Sequence, residues 1–213
     1  MMKMRLLVSI LMLSLFGFAQ KEPVQGVFHY KASINFPDTN LVFKQWNITV
    51  FTNDTVVRVE TETGQFGNQV YIRHMSMNKA YLLLNIDGRK YAIQTDLSKE
   101  QKKDTLPAKY SFKRKMGSKK IAGFKCKKYY VEDVAQKESF YCYFAKKVSN
   151  KYLEVYTDIP GLAMEYYIPT QDGTVKYELQ SFDAGPQNRD LFGIPTDYKR
   201  VTFEQFVTEI NGE

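Results

Sequence analysis

From Gly26 onward the chain alternates apolar and polar residues. Phe28, Tyr30, Ala32, Ile34 and Phe36 fall on one side and His29, Lys31, Ser33 and Asn35 on the other, the period-two pattern of a half-buried strand. After a turn at Pro37 to Asn40, Trp46, Ile48 and Val50 repeat the alternation, and beyond Asn53-Asp54 so do Val57, Val59 and Thr61. Three strands joined by short turns predict a meander. Thr63 to Asn68 interrupts it and sets Phe66 between glycines, as a plug over an apolar mouth or as a loop residue folded onto the core. Val70 to Met75 and Lys79 to Ile86 read as further strands. Asp87-Gly88 is a two-residue hairpin signal whose register pairs Leu84 with Tyr91 and Leu82 with Ile93.

Asp96 to Lys103 is the first stretch of helical character, with Asp96 as its N-cap. Strands resume at Tyr110 to Met116, and the Lys119 to Phe144 stretch predicts a hairpin that carries both cysteines. With its turn centred on Val134, residues whose numbers sum to 268 face one another. Cys126 then opposes Cys142, with Phe124, Phe140 and Phe144 on the same side. Opposed Cβ atoms lie about 4.5–5.5 Å apart, close to disulfide reach, so the pattern predicts a disulfide. Farther on, Leu162, Met164, Tyr166 and Ile168 alternate with Ala163, Glu165 and Tyr167. A turn at Asp172-Gly173 would place Tyr166 opposite Leu179 and Ile168 opposite Tyr177. Pro186 to Pro195 reads as a loop. Thr202 and Gln205 form a capping box that opens a short helix with Phe203, Phe206, Val207 and Ile210 at helical spacing.

Composition reinforces the strand reading. Aromatic residues make up 15% of the 213, as 15 Tyr and 15 Phe with one Trp, an enrichment that favours strands. The N-terminus departs from the pattern, with basic Lys3 and Arg5, an apolar run from Leu6 to Phe18, and Ala19 at its end. That order is a cleavable secretory signal peptide over residues 1–19, too short to span a bilayer and followed by no cysteine for a lipid anchor. Residues 20–213 hold no repeat or linker and are expected to form a single domain. The expected location is periplasmic or secreted, which permits the disulfide.

The full chain carries a formal charge of +7. Eight cations crowd Lys113 to Lys128: Lys113, Arg114, Lys115, Lys119, Lys120, Lys125, Lys127 and Lys128. They either guard exposed strand edges against pairing with other chains or contact an anionic membrane surface, for which Lys113, Lys115, Lys119 and Lys120 are the candidates. Nucleic acid suits the charge but not the compartment. Catalytic chemistry has no signature here. The chain has two histidines, His29 and His74, and lacks a GxSxG elbow, a phosphate loop and a dinucleotide fingerprint. Glu60 and Glu62 share a strand face and read as solvated. His74-Met75-Ser76-Met77 invites copper, but alternation sends the methionines away from His74. No metal or cofactor is expected, and the chain is read as a non-enzyme.

Three segments carry a family likeness: Lys120 to Tyr129 (KIAGFKCKKY), Ile159-Pro160-Gly161-Leu162 with Met164 and Glu165, and Phe192-Gly193-Ile194-Pro195 with Tyr198 and Val201. They resemble exported Bacteroidota proteins of unknown function related to the GLPGLI family, and are similar in pattern to LolA/LolB-type lipoprotein carriers. Asp158, Ile159 and Ala163 depart from the GLPGLI core. The resemblance implies a mainly β fold, one curved antiparallel sheet forming a half-barrel with one or two short helices. Its concave face would hold a hydrophobic small molecule, a lipid or a lipoprotein acyl chain. The residues expected to line that face are Phe66, Leu82, Leu84, Phe124 and Phe140, with Phe144, Met164, Tyr166, Phe203 and Phe206. The alternative is an envelope interaction module whose interior is filled by its own side chains.

Overall fold

The computed structural model describes residues 24–35, 42–53, 55–64, 67–97, 109–134, 137–153, 155–156, 158–159, 161–170 and 173–212. The predicted signal peptide, the predicted turn at Pro37 to Asn40, Phe66 and most of the predicted Asp96 to Lys103 helix lie outside them. Asp96 itself closes a strand, and the Leu97 N–H donates to Asn78 O at 3.0 Å.

Twelve strands form one open curved sheet. The first six are β1 (Gly26–Asn35), β2 (Val42–Thr52), β3 (Val56–Gly64), β4 (Gly67–His74), β5 (Lys79–Ile86) and β6 (Arg89–Asp96). They make the predicted meander, and Leu84 opposes Tyr91 as Leu82 opposes Ile93. Asp87 and Gly88 both take positive φ, 51° and 82°, the twist that a two-residue hairpin turn requires. The next five are β7 (Tyr110–Ile121), β8 (Phe124–Asp133), β9 (Ser139–Ala145), β10 (Leu162–Thr170) and β11 (Gly173–Ala184). Since β11 pairs with β1, the two meanders join into a single sheet that runs β12-β6-β5-β4-β3-β2-β1-β11-β10-β9-β8-β7. The edge strand β12 (Lys199–Thr202) was not foreseen and lies parallel to β6.

Two hairpin registers differ from expectation. The cysteine hairpin closes through Asp133 N–H to Glu138 O and Lys137 N–H to Asp133 O, both 2.8 Å. This wider turn centres between residues 135 and 136 instead of on Val134, so opposed numbers sum to 271 and Tyr129 faces Cys142. An odd slip exchanges faces. Cys126 pairs instead with Lys119 of β7, and both thiols are free and buried. The disulfide is therefore corrected to two separate thiols. In the β10–β11 hairpin Tyr166 faces Tyr177 and Ile168 faces Val175. Gly173, expected in the turn, belongs to the strand. That slip of two keeps every residue on its expected face.

The helix α1 (Phe203–Asn211) begins as the sequence required. The Gln205 N–H donates to Thr202 Oγ1 at 3.2 Å, and the Thr202 N–H to Gln205 Oε1 at 2.9 Å. Two irregular segments complete the packing. A crossover over residues 146–161 links β9 to β10, and a segment over residues 186–198 leads to β12.

Candidate functional site

Directly opposed residues share a face of the sheet, so the registers can be followed from strand to strand. One row runs Phe28, Val50, Val59, Tyr71, Leu82, Ile93, Val201 from β1 to β12. Every member has an apolar body, and both ends are closed. Phe28 and Val50 are 0% and 1% exposed, Ile93 and Val201 4% and 5%. Between them Val59, Tyr71 and Leu82 are only half-buried. The row is therefore a strip of apolar surface that opens at its middle.

The crossover closes one end. Tyr152, 1% exposed, sets its ring 6.5 Å from Phe28, and its hydroxyl accepts from the Val24 N–H at 2.8 Å. Arg73 shares the face of Tyr71 and donates to Lys151 O, tying the crossover down over β4. Tyr156 packs edge-on to Tyr110 at 4.7 Å and to Phe112 at 5.8 Å, and lies 6.0 Å from Phe144 and 6.1 Å from Tyr166. Burial drives its phenol pKa well above the usual range. The crossover's ends are held together by Leu162 N–H to Val148 O and by Asn150 Nδ2 to Ile159 O, both 3.1 Å. Gly161 is required at its exit, since φ is +138° and a Cβ there would stand 2.7 Å from Ala145 O. The far end is closed by α1, where the Phe206 ring meets Tyr91 at 5.4 Å above Leu84 and Ile93.

The ten expected lining residues do not converge on one cavity. Phe144, Met164 and Tyr166 lie beneath the crossover at 0–3% exposure, with Phe124 and Phe140 half-buried beside them. Leu82, Leu84 and Phe206 belong to the second cluster under α1. Phe203 points away, 62% exposed, and Phe66 is outside the described residues. Only Leu82 reaches the half-open strip. Val59 and Tyr71 were missed as site residues although strand alternation marked their faces. Tyr152 and Tyr156 were missed because an irregular crossover has no periodicity to read.

The opposite face of the first meander is covered in part, with Phe51, Val70 and Tyr81 half-buried. Val56, Ile72, Leu83 and Ala92 pack under Phe192 of the 186–198 segment, and Arg58 Nη1 donates to Leu191 O at 2.9 Å. On the second meander, Lys119 is held by Glu165 and lies 4.2 Å from the Tyr143 ring centre. Lys115 sits 5.3 Å from the Tyr130 ring centre, whereas Lys113 and Lys120 point to solvent. All four are on β7, the edge strand, where charge also keeps other chains away. Burial pushes the thiol of Cys126 up to about 11 and that of Cys142 up to about 12, the opposite of what a reactive cysteine needs. Among the described residues no three His, Cys, Asp or Glu side chains gather as a metal would require, and no helix is long and apolar enough to cross a membrane.

No protein-family profile matches the chain, and no curated protein matches it. Solved structures do share its fold. PNGF-II superposes with a TM-score of 0.54 at 15% identity over 88% of this chain and 32% of that one, so this chain spans about a third of PNGF-II. An uncharacterized conserved protein from Thermus thermophilus gives 0.53 at 9% identity over 92% of this chain and 99% of that one. The Mycobacterium tuberculosis lipoprotein LppX gives 0.40 at 9% identity over 78% and 89%. At these identities the first two likenesses describe the fold alone, and the third carries no argument.

Proposed function

We propose that this is a non-catalytic binding protein of the cell envelope, exported by its signal peptide, that holds an acyl chain or similar apolar group on the half-open strip Val59–Tyr71–Leu82. The observation that carries the reading is the burial profile of that row, apolar throughout yet closed only at its ends. Covering a strip of apolar surface needs no reactive group: each CH₂ removed from water contributes about 0.8 kcal/mol. The crossover and α1 stand at either side of the strip and would flank the bound chain.

A second reading is an interaction module with a self-filled interior. Tyr152 and Tyr156 support it, since they occupy the face over β1 and β7–β10 where a carrier's ligand was expected. Native mass spectrometry of the protein purified from its own envelope, followed by solvent extraction, separates the two. The carrier reading expects a copurifying lipid that is lost in Leu82→Lys while the variant still unfolds cooperatively, with its melting temperature as the check because Leu82 also packs against the cluster under α1. A lipid-free wild-type protein that takes up no added lipid would overturn it and leave the self-filled module.

A further inference from the structure

A second concave site lies at the tip of the β7–β8 hairpin. Ala122 and Gly123 make its turn, both at positive φ (44° and 88°). Beside them opens a pocket of about 470 Å³ lined by Gly123, Phe124, Lys125, Lys127, Lys146 and Lys147, with Ala145 in its wall. Lys127 also lines an adjoining cleft of about 440 Å³ together with Arg114 and Lys115. The volume suits a small ligand.

Edge protection does not account for these lysines. Lys127 is paired on both sides, with Ser118 of β7 and Phe144 of β9, Lys125 is paired with Lys120 of β7, and Lys146 and Lys147 leave the sheet at the start of the crossover. The pocket lining contains no carboxylate, and among the described residues none of the four lysines has an ion-pair partner. Lys125 moreover stands directly opposite Lys120, a like-charge pair that destabilises a hairpin unless an anion lies between. The floor is apolar. Phe124 lies 6.0 Å from the Phe28 ring and 5.2 Å from Phe182, so its exposed edge continues the core out to the lysines.

The geometry points to a binding site for the phosphate-bearing head of an amphiphile, with the four lysines taking the anion and Phe124 the first carbons of its apolar part. Lysine serves phosphate as a mobile point charge. A phosphate monoester, with nearly two negative charges, balances more of the four than a carboxylate does. The site is separate from the half-open strip, and neither reading requires the other.

Isothermal titration of the intact mature protein with hexyl phosphate tests this, with hexanol and inorganic phosphate as comparison probes and amide NMR to locate the contact. The expected result is tighter binding of hexyl phosphate than of either probe, with shifts at Gly123, Phe124 and Ala145. Lys146→Ser/Lys147→Ser and Lys125→Ser/Lys127→Ser should each weaken it about tenfold or more. Lys31→Ser/Lys79→Ser removes the same charge elsewhere and should change it less than about twofold. All these positions are at least partly exposed, and an unchanged melting temperature checks that the variants fold. Flotation with phosphatidic acid vesicles, which carry the same monoester, that is lost in the pocket variants would identify a lipid as the source. Hexyl phosphate binding no tighter than inorganic phosphate, or equal losses in the distant variant, would overturn the proposal.

Discussion

The two halves of the sheet bury the same kind of surface by different means. Across β1 and β7–β11 the face that carries Tyr30 is sealed by the crossover, and Leu162, Met164, Tyr166 and Phe144 are 0–3% exposed beneath or beside it. Across β3–β5 the crossover reaches the same face only at Arg73 among the described residues, and Val59, Tyr71 and Leu82 stay half-buried. Both halves have strands of similar length and alternation. The difference therefore comes from the segments between strands, which seal one half with tyrosines and leave the other with a strip. Closure on one side and openness on the other suits a binding surface whose frame must not collapse when its ligand leaves.

The largest expected effect breaks the sealed half. Tyr152→Ala removes a fully buried ring and leaves a cavity against Phe28, which should cost about 3–5 kcal/mol in a urea titration. A loss below about 1 kcal/mol would mean that the crossover is not what seals this face. The next effect concerns the other end. Phe206→Ala should cost about 2–3 kcal/mol and expose the α1 amides to hydrogen exchange while β10 and β11 remain protected. Equal loosening of both halves would show that they are not independent.

The sequence carried this contrast only in part. Strand alternation gave the face of Phe28, Tyr30, Ala32 and Ile34 and of Met164 and Tyr166, and the capping box marked Thr202 as the start of α1. Alternation is a local property, and it survives a register slip of two. It could not reveal the turn around residues 135 and 136, because five residues between strands can close in several ways, and a shift of one and a half in the turn's centre becomes three in the register. Cys126 and Cys142 were separated by that shift. Nor could it show which face an aperiodic segment would cross. Residues 146–161 and 186–198 go to opposite faces of the sheet, and this decides where the strip stays open.

A smaller effect sharpens the comparison through pH. Both cysteines and the strongly shifted Tyr30, Tyr156 and Tyr166 belong to the sealed half. The unfolded chain releases thiol protons near the ordinary value of 9.0, whereas the folded chain holds them to about 11 at Cys126 and about 12 at Cys142. Across that window the native state binds more protons, so stability is complete below pH 9 and falls as pH rises. Hydrogen exchange should loosen first in β8–β10 and last in β4–β6. The two thiols should also resist alkylation at neutral pH until the protein is unfolded. Fast native alkylation, or loosening that begins in β4–β6, would contradict this assignment of the two regions.

The central claim is that the strip, and not the sealed half, receives the apolar ligand. Methyl NMR during titration with decanol, a neutral chain that the lysine pocket does not attract, tests it most directly. The account predicts shifts concentrated on the methyls of Val59 and Leu82, with Met164 and Leu162 unmoved. Shifts centred on Met164 and Leu162, or none at saturation, would contradict it.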